Sequence, residues 1–442
     1  MGGLALLLRQ ADEWVDEELP RLNRAILGGS IPPDAVAGQA RTILLPRLPS
    51  ISRLDPGEAR RLVVRLGFLG ASLARHYQEW TPGGKERPER AFDGLLAGTE
   101  QMPFRDYFAA LAAHTGDGHY GRDSYASLVR WNVGTLEVRR GHELLAVLPG
   151  VFDDGRIRSY TGTPGEERFF LLVKQSEAIE FAVNDVLQPL TADGVPLLGE
   201  DSATSVRLAT ALMMALRKLF LDFAALPTEK SMPPEQFMDV FRQFAVHWTD
   251  GDIPPSGALD PEALKRDFLL GIGIAGYDRH VRRLFPALLD TERACLDRLI
   301  AEPPLPHRVL AGLGLDAADL RTASEAELHH LLGAHPVLAD WYRLLTAHAR
   351  AAGAHLMLSK KFLFKPQRRR DAQGVGDQRL VSNRAGTTGM NEGHLDKLTR
   401  ARQDHPLAPL RTVLAGSGES PENGTADGVR SQSELISVAR VG

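Results

Sequence analysis

Amphipathic helical periodicity is the feature that most constrains the fold of this chain. Apolar residues recur every three or four positions in four long segments, residues 56–80, 168–190, 201–226 and 338–362, and a turn-rich break follows each segment. Alternating strand patterns are few and short, and some β or irregular structure is expected between residues 116 and 165. The sequence therefore predicts a mainly α protein.

Two changes in composition divide the chain. Residues 150–166, GVFDDGRIRSYTGTPGE, concentrate Gly, Asp, Pro and Thr between a strand-like run and a periodic helix. We therefore predict a smaller N-terminal domain over residues 1–160 and a larger helical domain over residues 161–414. Residues 415–442 are rich in Gly, Ser, Glu and Asn and poor in large apolar side chains, so we expect a disordered tail there.

Charge and cysteine content limit the classes of partner and site. The chain carries 52 basic and 56 acidic side chains, and its net charge of -4 gives no general reason to expect binding to nucleic acid or to a membrane surface. The amino terminus has an apolar run of only five residues after no basic segment, so we expect no signal peptide, no membrane span and a cytoplasmic location. Cys295 is the single cysteine, which excludes intrachain disulfides and cysteine-rich metal sites.

Two histidines share one face of the helix predicted over residues 338–362. His348 and His355 are seven residues apart, so their side chains point the same way. Small residues fill positions 351–354, and Gly353 costs a helix on the order of 1 kcal/mol relative to Ala. This pattern indicates close approach by a backbone or a flat body, such as a haem whose iron takes imidazole as its axial ligand. The alternative is a pair of partly buried histidines that are hydrogen-bonded to backbone.

A basic run and a glycine-bounded turn follow these histidines. The six basic residues between positions 360 and 370 are typical of a solvated surface, and they would also supply charge for two haem propionates. Further on, Gly386, Thr387, Thr388 and Gly389 form a turn of a kind that exposes backbone amides and hydroxyls to an anion. Many Gly-Thr turns are only helix starts, so the turn alone does not identify a site.

In this order, the features resemble the carboxy-terminal haem segment of the indoleamine 2,3-dioxygenase superfamily, in which the proximal histidine precedes a Gly-Thr-Gly-Gly loop. His355 matches that histidine, and Gly386, Thr387 and Gly389 match the loop, whereas Thr388 replaces the usual Gly. The segment RFFLLVKQSEAIEFA resembles the distal-pocket helix of the family, which begins with paired phenylalanines. The segment FMDVFRQF resembles its Phe-x-x-x-x-Arg element. The matching residues are Phe169, Phe237 and Arg242.

Two further motifs resemble the monodechloroaminopyrrolnitrin synthase branch of the superfamily, which belongs to the pyrrolnitrin pathway. Members show a Trp-Asn pair and then Arg-Ser-Tyr-Thr-Gly before the distal helix. Here these stand as Trp131 and Asn132 in RWNVG and as Arg158 to Gly162 in RSYTGTPGEE. The resemblance covers residues 125–405 by scattered motifs.

The resemblance implies an indoleamine 2,3-dioxygenase-like fold that holds haem b, with His355 as the axial ligand of the iron. It implies an oxygenase that uses dioxygen and an external reductant on an indole-type, tryptophan-like amino acid in secondary metabolism. Val173 stands where the indoleamine enzymes carry a serine, so proton transfer by a distal side chain is not expected. Arg242 and Thr387 are implied as catalytic residues that orient the amino acid. The implied substrate contacts are Phe169, Phe170, Val173, Phe237, Arg242, Gly386, Thr387 and Thr388.

Other functions fit the same residues. Branches of this superfamily differ in outcome on one scaffold, so monooxygenation or oxidative rearrangement of another aromatic amino acid is an alternative. A second alternative is a non-enzymatic haem-binding sensor. A third alternative is a haem-free module that binds an acidic partner through residues 360–370. Paired phenylalanines such as Phe169 and Phe170 are more often ordinary residues of the hydrophobic core. The alternative for Arg242 is an arginine on the protein surface.

Overall fold

Helices dominate the chain, as the periodicity predicts. The computed structural model describes residues 2–118, 120–377, 380–386, 389–416 and 436–441. The α-helices are α1 (Gly2–Glu13), α2 (Leu19–Leu27), α3 (Ala35–Gln39), α4 (Pro56–Trp80), α5 (Phe104–His114), α6 (Pro164–Leu187), α7 (Glu200–Ala225), α8 (Pro234–Gln236), α9 (Pro261–Leu270), α10 (Tyr277–Leu284), α11 (Asp290–Ala301), α12 (Leu305–Ala311), α13 (Ala317–Thr322), α14 (Glu325–Ala334), α15 (Val337–Ser359), α16 (Lys365–Ala372), α17 (Glu392–Gln403) and α18 (Arg411–Gly416).

Shorter helical turns join or extend these elements. The π-helical turns are Trp14–Glu18, Ala40–Leu44, Ala126–Arg130, Phe237–Phe241 and Lys360–Phe364. The 3₁₀ turns are Leu45–Arg47, Ile51–Arg53, Pro88–Phe92, Gln188–Thr191, Thr228–Lys230, Arg242–Phe244, Gly257–Leu259, Phe285–Ala287 and Ala408–Leu410. A π turn thus continues α15 beyond Ser359.

The four long segments predicted as helices are confirmed as α4, α6, α7 and α15. The start of α4 shows which local interactions begin a helix at a particular residue. The Asp55 carboxylate accepts a hydrogen bond from the Glu58 amide at 2.8 Å, and the Glu58 carboxylate accepts one from the Asp55 amide at 3.0 Å. Pro56 occupies the first helical position, where its missing N–H has no cost. Within the described ranges, no helix has the length and apolar character that a membrane crossing requires.

Two small antiparallel sheets complete the fold. Strands β1 (Leu96–Ala97) and β2 (Met102–Pro103) form a short hairpin. Strands β3 (Leu136–Arg140) and β4 (Glu143–Leu148) lie inside the region where β structure was expected. Strand β5 (Ile436–Arg440) pairs with the other edge of β3, so the order is β4-β3-β5.

Strand β5 corrects the prediction of a disordered tail. Its residues, ISVAR, pair antiparallel with the whole length of β3, and Ile436 and Val438 pack against the apolar core. Averaged over residues 415–442, the composition hides this short alternating run, and β3 supplies the hydrogen-bonding edge that orders it. The described part of the tail is therefore helical to residue 416 and extended over 436–440, and residues 417–435 lie outside the described ranges.

The buried apolar side chains form two large clusters. One surrounds α4 and α5, and it also takes Phe244, Trp248 and Tyr277 from later in the chain. The other lies between α6, α7 and α15, and it also takes Leu136 and Leu148 from the β3–β4 hairpin. The two cores therefore do not separate at the junction predicted over residues 150–166, because each draws side chains from both sides of it.

Candidate functional site

His355 lies on an accessible side of α15 that is distinct from the outer face of this helix. The outer face carries Arg350 and Met357, which is 50% exposed. At about 100° per residue, Met357 lies about 160° around the helix from His355. The flanking residues Ala351 and Ala354 are buried, yet His355 is exposed. Helix α15 is thus accessible to solvent on two opposite sides. Arg350 and Met357 lie on one side, and His355 lies on the other.

The surroundings of the His355 ring are mostly protein. The Phe220 ring, on α7, lies 5.5 Å from the imidazole between centroids. Desolvation, followed by the positive charges of Arg402 and Arg266, lowers the pKa of His355 to about 4. The side chain is thus exposed on the helix, while the protein atoms around it still desolvate the imidazole. The imidazole is neutral at pH 7, and neither ring nitrogen has a hydrogen-bond partner among the described residues.

His348 has a different environment. It is 1% exposed, and its Nε2 atom lies 3.2 Å from Asp267 Oδ1 and 3.2 Å from Arg402 Nε. Burial lowers the pKa of His348 to about 3, so this ring is also neutral at pH 7. Its partners are side chains rather than the backbone that the alternative interpretation expected. Of the two histidines on this face, His355 is the one with a free imidazole.

Gly353 does not have the role that the sequence predicted for it. A Cβ atom built on Gly353 would meet nothing within 4 Å, so no described backbone approaches it. Gly353 also lies about 160° around the helix from His355, on the outer side. The expected close approach by a backbone is therefore wrong for the described residues, and contact with a flat body stays a prediction. Ala351 and Ala352, one turn before His355, are the small residues that border the imidazole.

Partly accessible aromatic side chains line the neighbouring part of this region. Phe169 lies 5.2 Å from Phe237 and 5.2 Å from Phe241 between ring centroids. Phe237 lies 6.2 Å from Phe362, in the π turn that extends α15. Val173, one turn after Phe169 on α6, is also partly accessible. Phe169 and Phe237 thus contact each other, and Phe237 contacts Phe362, seven residues after His355, while Val173 lies one helical turn from Phe169.

Phe170 belongs to the core. It is 1% exposed, and it packs edge-on against Phe68 at 6.0 Å and Phe241 at 5.2 Å. A side chain enclosed in this way cannot contact a substrate in an open cleft. The expectation that Phe170 is a substrate contact is therefore corrected, since in the pair of phenylalanines Phe169 faces accessible space and Phe170 does not.

Arg242 reaches a loop that lies 140 residues away in sequence. Its Nη2 atom donates to the carbonyl oxygen of Ser382 at 2.8 Å and to that of Ala385. Its Nε atom is buried without an acceptor among the described residues. Desolvation lowers the pKa of Arg242 to about 10, so the guanidinium remains charged at pH 7. The partners of this charged group among the described residues are therefore backbone carbonyls, and its burial rules out the surface position.

The loop that Arg242 contacts contains the predicted Gly-Thr turn. The Gly386 amide donates to the Met390 carbonyl at 2.7 Å, and the Gly389 amide donates to the Gly386 carbonyl at 2.9 Å. Gly389 has a φ of 81°, which a residue with a side chain rarely adopts. Asn391 then caps the start of α17 through the His394 amide. The predicted residues Thr387 and Thr388 lie outside the described residues.

The basic run after His355 is largely paired within the chain. Lys360 and Arg368 both contact the carboxylate of Glu392. Lys361 donates to the carbonyl of Ala224 at 2.6 Å, and Arg370 forms a two-pronged pair with Asp239 at 2.7 Å for each bond. These partners neutralise only part of the run, because Lys361 meets an uncharged carbonyl and Lys360 and Arg368 share one carboxylate, so the segment keeps a net positive charge.

The Trp-Asn motif and the Arg-Ser-Tyr-Thr-Gly motif contact each other rather than His355. The Asn132 side chain donates to the Arg158 carbonyl at 2.8 Å and accepts from the Arg158 amide at 2.9 Å. The Thr161 amide and hydroxyl donate to Glu166, in the first turn of α6. The motifs therefore fix where α6 begins, and with it the position of Phe169.

Sequence reasoning missed a buried polar cluster behind His355. Asp267, on α9, accepts from Arg402 Nη2 at 2.6 Å and from the Tyr277 hydroxyl at 2.8 Å, and it contacts His348. Burial alone would raise the pKa of Asp267, but Arg402, His348 and Arg266 together lower it below its usual value. In the sequence, Asp267 stands between Arg266 and the apolar run FLLGI, a position that by itself names no partner.

Comparisons with known proteins do not assign the chain. No model of a protein family matches it, and no curated protein matches it. A surface groove of about 920 Å³ at the carboxyl end of α6, lined by residues such as Asp185 and Arg308, shares none of the residues described above. The site is therefore defined by the geometry around His355.

Proposed function

We propose that this protein is a haem-dependent oxygenase of the indoleamine 2,3-dioxygenase type that uses dioxygen to oxidise an indole-type aromatic amino acid. The observation that carries the proposal is the accessible imidazole of His355, which is neutral at pH 7 and has no hydrogen-bond partner among the described residues. The order of motifs along the chain supports the same superfamily and, within it, the monodechloroaminopyrrolnitrin synthase branch.

The residues around His355 fit haem b. A neutral imidazole with a free nitrogen is the form that binds haem iron, and the pKa of about 4 keeps His355 in this form at pH 7. Ala351 and Ala352 leave the helix surface beside the ring free of large side chains. Haem bound here would supply an iron that binds dioxygen.

The chain's own residues would bind and orient the substrate. Phe169, Val173 and Phe237 offer an apolar, partly aromatic wall for an indole ring. In this proposal Gly386, Thr387 and Thr388 contact the amino-acid head group, and Arg242 holds the carbonyls of Ser382 and Ala385, which lead into that segment. Phe169 and Val173 have no titratable group, so this wall would supply no proton, and a hydrogen-bond donor would have to come from the substrate itself.

A visible spectrum of the purified protein, with and without added haem, tests the cofactor. We expect a Soret band in the parent protein, its loss or a changed axial spectrum in His355→Ala, and its retention in His348→Gln. The glutamine is the matched control because it can keep hydrogen bonds to Asp267 and Arg402. A protein that stays colourless after reconstitution contradicts the proposal, and ligation that depends on His348 rather than His355 would show that the motif match is wrong.

Labelled dioxygen tests the reaction. We expect tryptophan or a ring-substituted tryptophan to perturb the ferrous spectrum and to be oxidised with at least one labelled atom in the product. Two atoms would indicate dioxygenation, and one would indicate the monooxygenase alternative. Failure of every indole and phenol amino acid to bind to the haem-loaded protein would favour the sensor alternative and contradict the enzyme.

A further inference from the structure

We infer that the outward side of helix α16 is a docking surface for an acidic patch on a partner protein. Three cations form this surface, which we call the basic face: Lys365, Arg368 and Arg369. The inference goes beyond the proposed oxygenase and does not depend on haem, because none of these residues belongs to the candidate site around His355.

The basic face is one side of a helix that is held from its other side. Its three residues stand at positions i, i+3 and i+4, so they are neighbours on the helix surface, and all three are exposed. On the opposite side, Gln367 is 2% exposed, and its Nε2 atom donates to Asp371 Oδ1 at 3.0 Å and to the Gly376 carbonyl at 3.2 Å. Asp371, the one acidic residue of α16, also accepts from Arg384 at 2.8 Å. The helix therefore presents its three cations to solvent from a fixed position.

Contacts within the chain leave most of this positive charge uncompensated. Among the described residues, Lys365 and Arg369 have no ion-pair partner. Arg368 contacts the carboxylate of Glu392, but Lys360 shares that carboxylate at 3.8 Å, and the Arg368 side chain is 54% exposed. The helix does not need these charges either, because like charges at i and i+4, such as Lys365 and Arg369, cost a helix roughly 0.2–0.5 kcal/mol. Neither folding contacts nor helix propensity therefore account for the basic face.

The charge of the rest of the chain decides which kind of partner fits. Residues 360–370 contain six basic and no acidic side chains, so without them the net charge of the chain would change from -4 to -10. A compact acidic patch on a protein can meet the basic face alone. An extended polyanion such as nucleic acid, or the plane of an anionic membrane, would also meet the acidic remainder of the molecule and be repelled by it.

The side chains around the basic face favour the same class of partner. Helix α16 has no aromatic or large apolar side chain, and those of the preceding turn, Lys360–Phe364, are buried. The helix thus offers nothing that could stack on bases or enter a lipid layer. Beyond the helix, Val375 is 59% exposed and offers a protein partner one apolar contact. Opposite charge would steer an acidic protein to this side of the molecule.

Charge reversal tests the basic face with a defined probe, fluorescently labelled hexaglutamate. The parent should bind it at low ionic strength, before and after incubation with haem, and added salt should weaken the binding. In Lys365→Glu/Arg369→Glu, we expect the Kd to rise about tenfold or more, and Lys365→Gln/Arg369→Gln should lie between this variant and the parent. The control, Arg47→Glu/Arg53→Glu, makes the same change in net charge at two exposed arginines elsewhere and should bind as the parent does.

Duplex DNA and vesicles that contain phosphatidylserine, compared with hexaglutamate at equal charge, distinguish a protein partner from other polyanions. Tighter binding of either one, lost in the reversal variant, would assign the basic face to nucleic acid or to a membrane and overturn the inference. Equal hexaglutamate binding by the parent and the two variants of the basic face overturns it as well, and so does a parent that binds none. Should the reversal variant not fold, the Gln variant decides, since it adds no charge at these exposed positions.

Discussion

At the scale of single residues, the partners of a side chain decide what its loss will do. Arg242 is the clearest case. Its guanidinium donates to two carbonyl groups of the loop rather than to a carboxylate, and its Nε atom is enclosed. In this arrangement Arg242 affects a substrate through the loop, so the charge of the substrate carboxylate matters less than the position of the turn.

Arg242→Leu should therefore weaken tryptophan and its decarboxylated amine, tryptamine, by similar factors. The loss comes from the loop, because charge-assisted hydrogen bonds of about 1.5–3 kcal/mol each no longer hold it. Spectral titrations of the haem-loaded protein with both ligands measure the effect, and Arg369→Leu, at an exposed position of α16, is the control. Selective loss of tryptophan binding would instead show that Arg242 pairs with the carboxylate.

At the scale of elements, small residues matter where another element comes close. Helix α4 has Gly70 against the indole of Trp248, and a Cβ atom at Gly70 would lie 2.2 Å from Trp248 Cη2. Trp248 is fully buried among the rings of Phe92, Phe104 and Phe108, so it has no room to withdraw. At Gly70 the absence of a side chain lets Trp248 pack against the helix, whereas no described atom packs against Gly353 on α15.

Gly70→Ala and Gly353→Ala form a matched pair of helix substitutions with opposite expected signs. Overpacking against Trp248 should lower the free energy of unfolding by about 1–3 kcal/mol in Gly70→Ala. Gly353→Ala meets nothing within 4 Å, so the higher helix propensity of Ala should raise it by up to about 1 kcal/mol. Chemical denaturation measures both. Equal destabilisation by the two substitutions would contradict the packing described here.

At the scale of the whole molecule, a strand near the carboxyl end pairs with a strand from much earlier in the chain. The last described residues, Ile436–Arg440, form the outer strand of the sheet that packs on α6 and α7. The Val441 amide donates to the Thr135 carbonyl at 3.0 Å, and Arg440 donates to the Gly155 carbonyl at 2.8 Å. The carboxyl end therefore stabilises the body of the protein.

Truncation after residue 435 should lower the free energy of unfolding by on the order of 2 kcal/mol or more, because it removes several backbone hydrogen bonds of about 0.5–1.5 kcal/mol each. Thermal and chemical unfolding measure the change. The paired substitutions Val438→Asp and Ala439→Asp act as a control, since Val438 packs on the core and Ala439 is exposed on the opposite face of the strand. An unchanged melting temperature after truncation would show that β5 contributes nothing to stability.

The sequence by itself determined the elements whose cause is local. The periodic segments became α4, α6, α7 and α15, because apolar spacing of three and four residues is sufficient to place one face of a helix against a core. It also placed β3 and β4 in the region of weak periodicity. The order of motifs selected His355 over His348, and the haem role that follows from it stays a prediction.

Only the tertiary structure decided what these elements face. His348 and His355 are equivalent in helical pattern, and packing against Asp267 and Arg402 buries His348 while His355 stays accessible. The acceptors of Arg242 lie about 140 residues further along the chain, and the partner of β5 lies about 300 residues before it. The physical reason is that periodicity and turn chemistry act between residues a few positions apart, whereas these contacts exist only after distant segments have packed together.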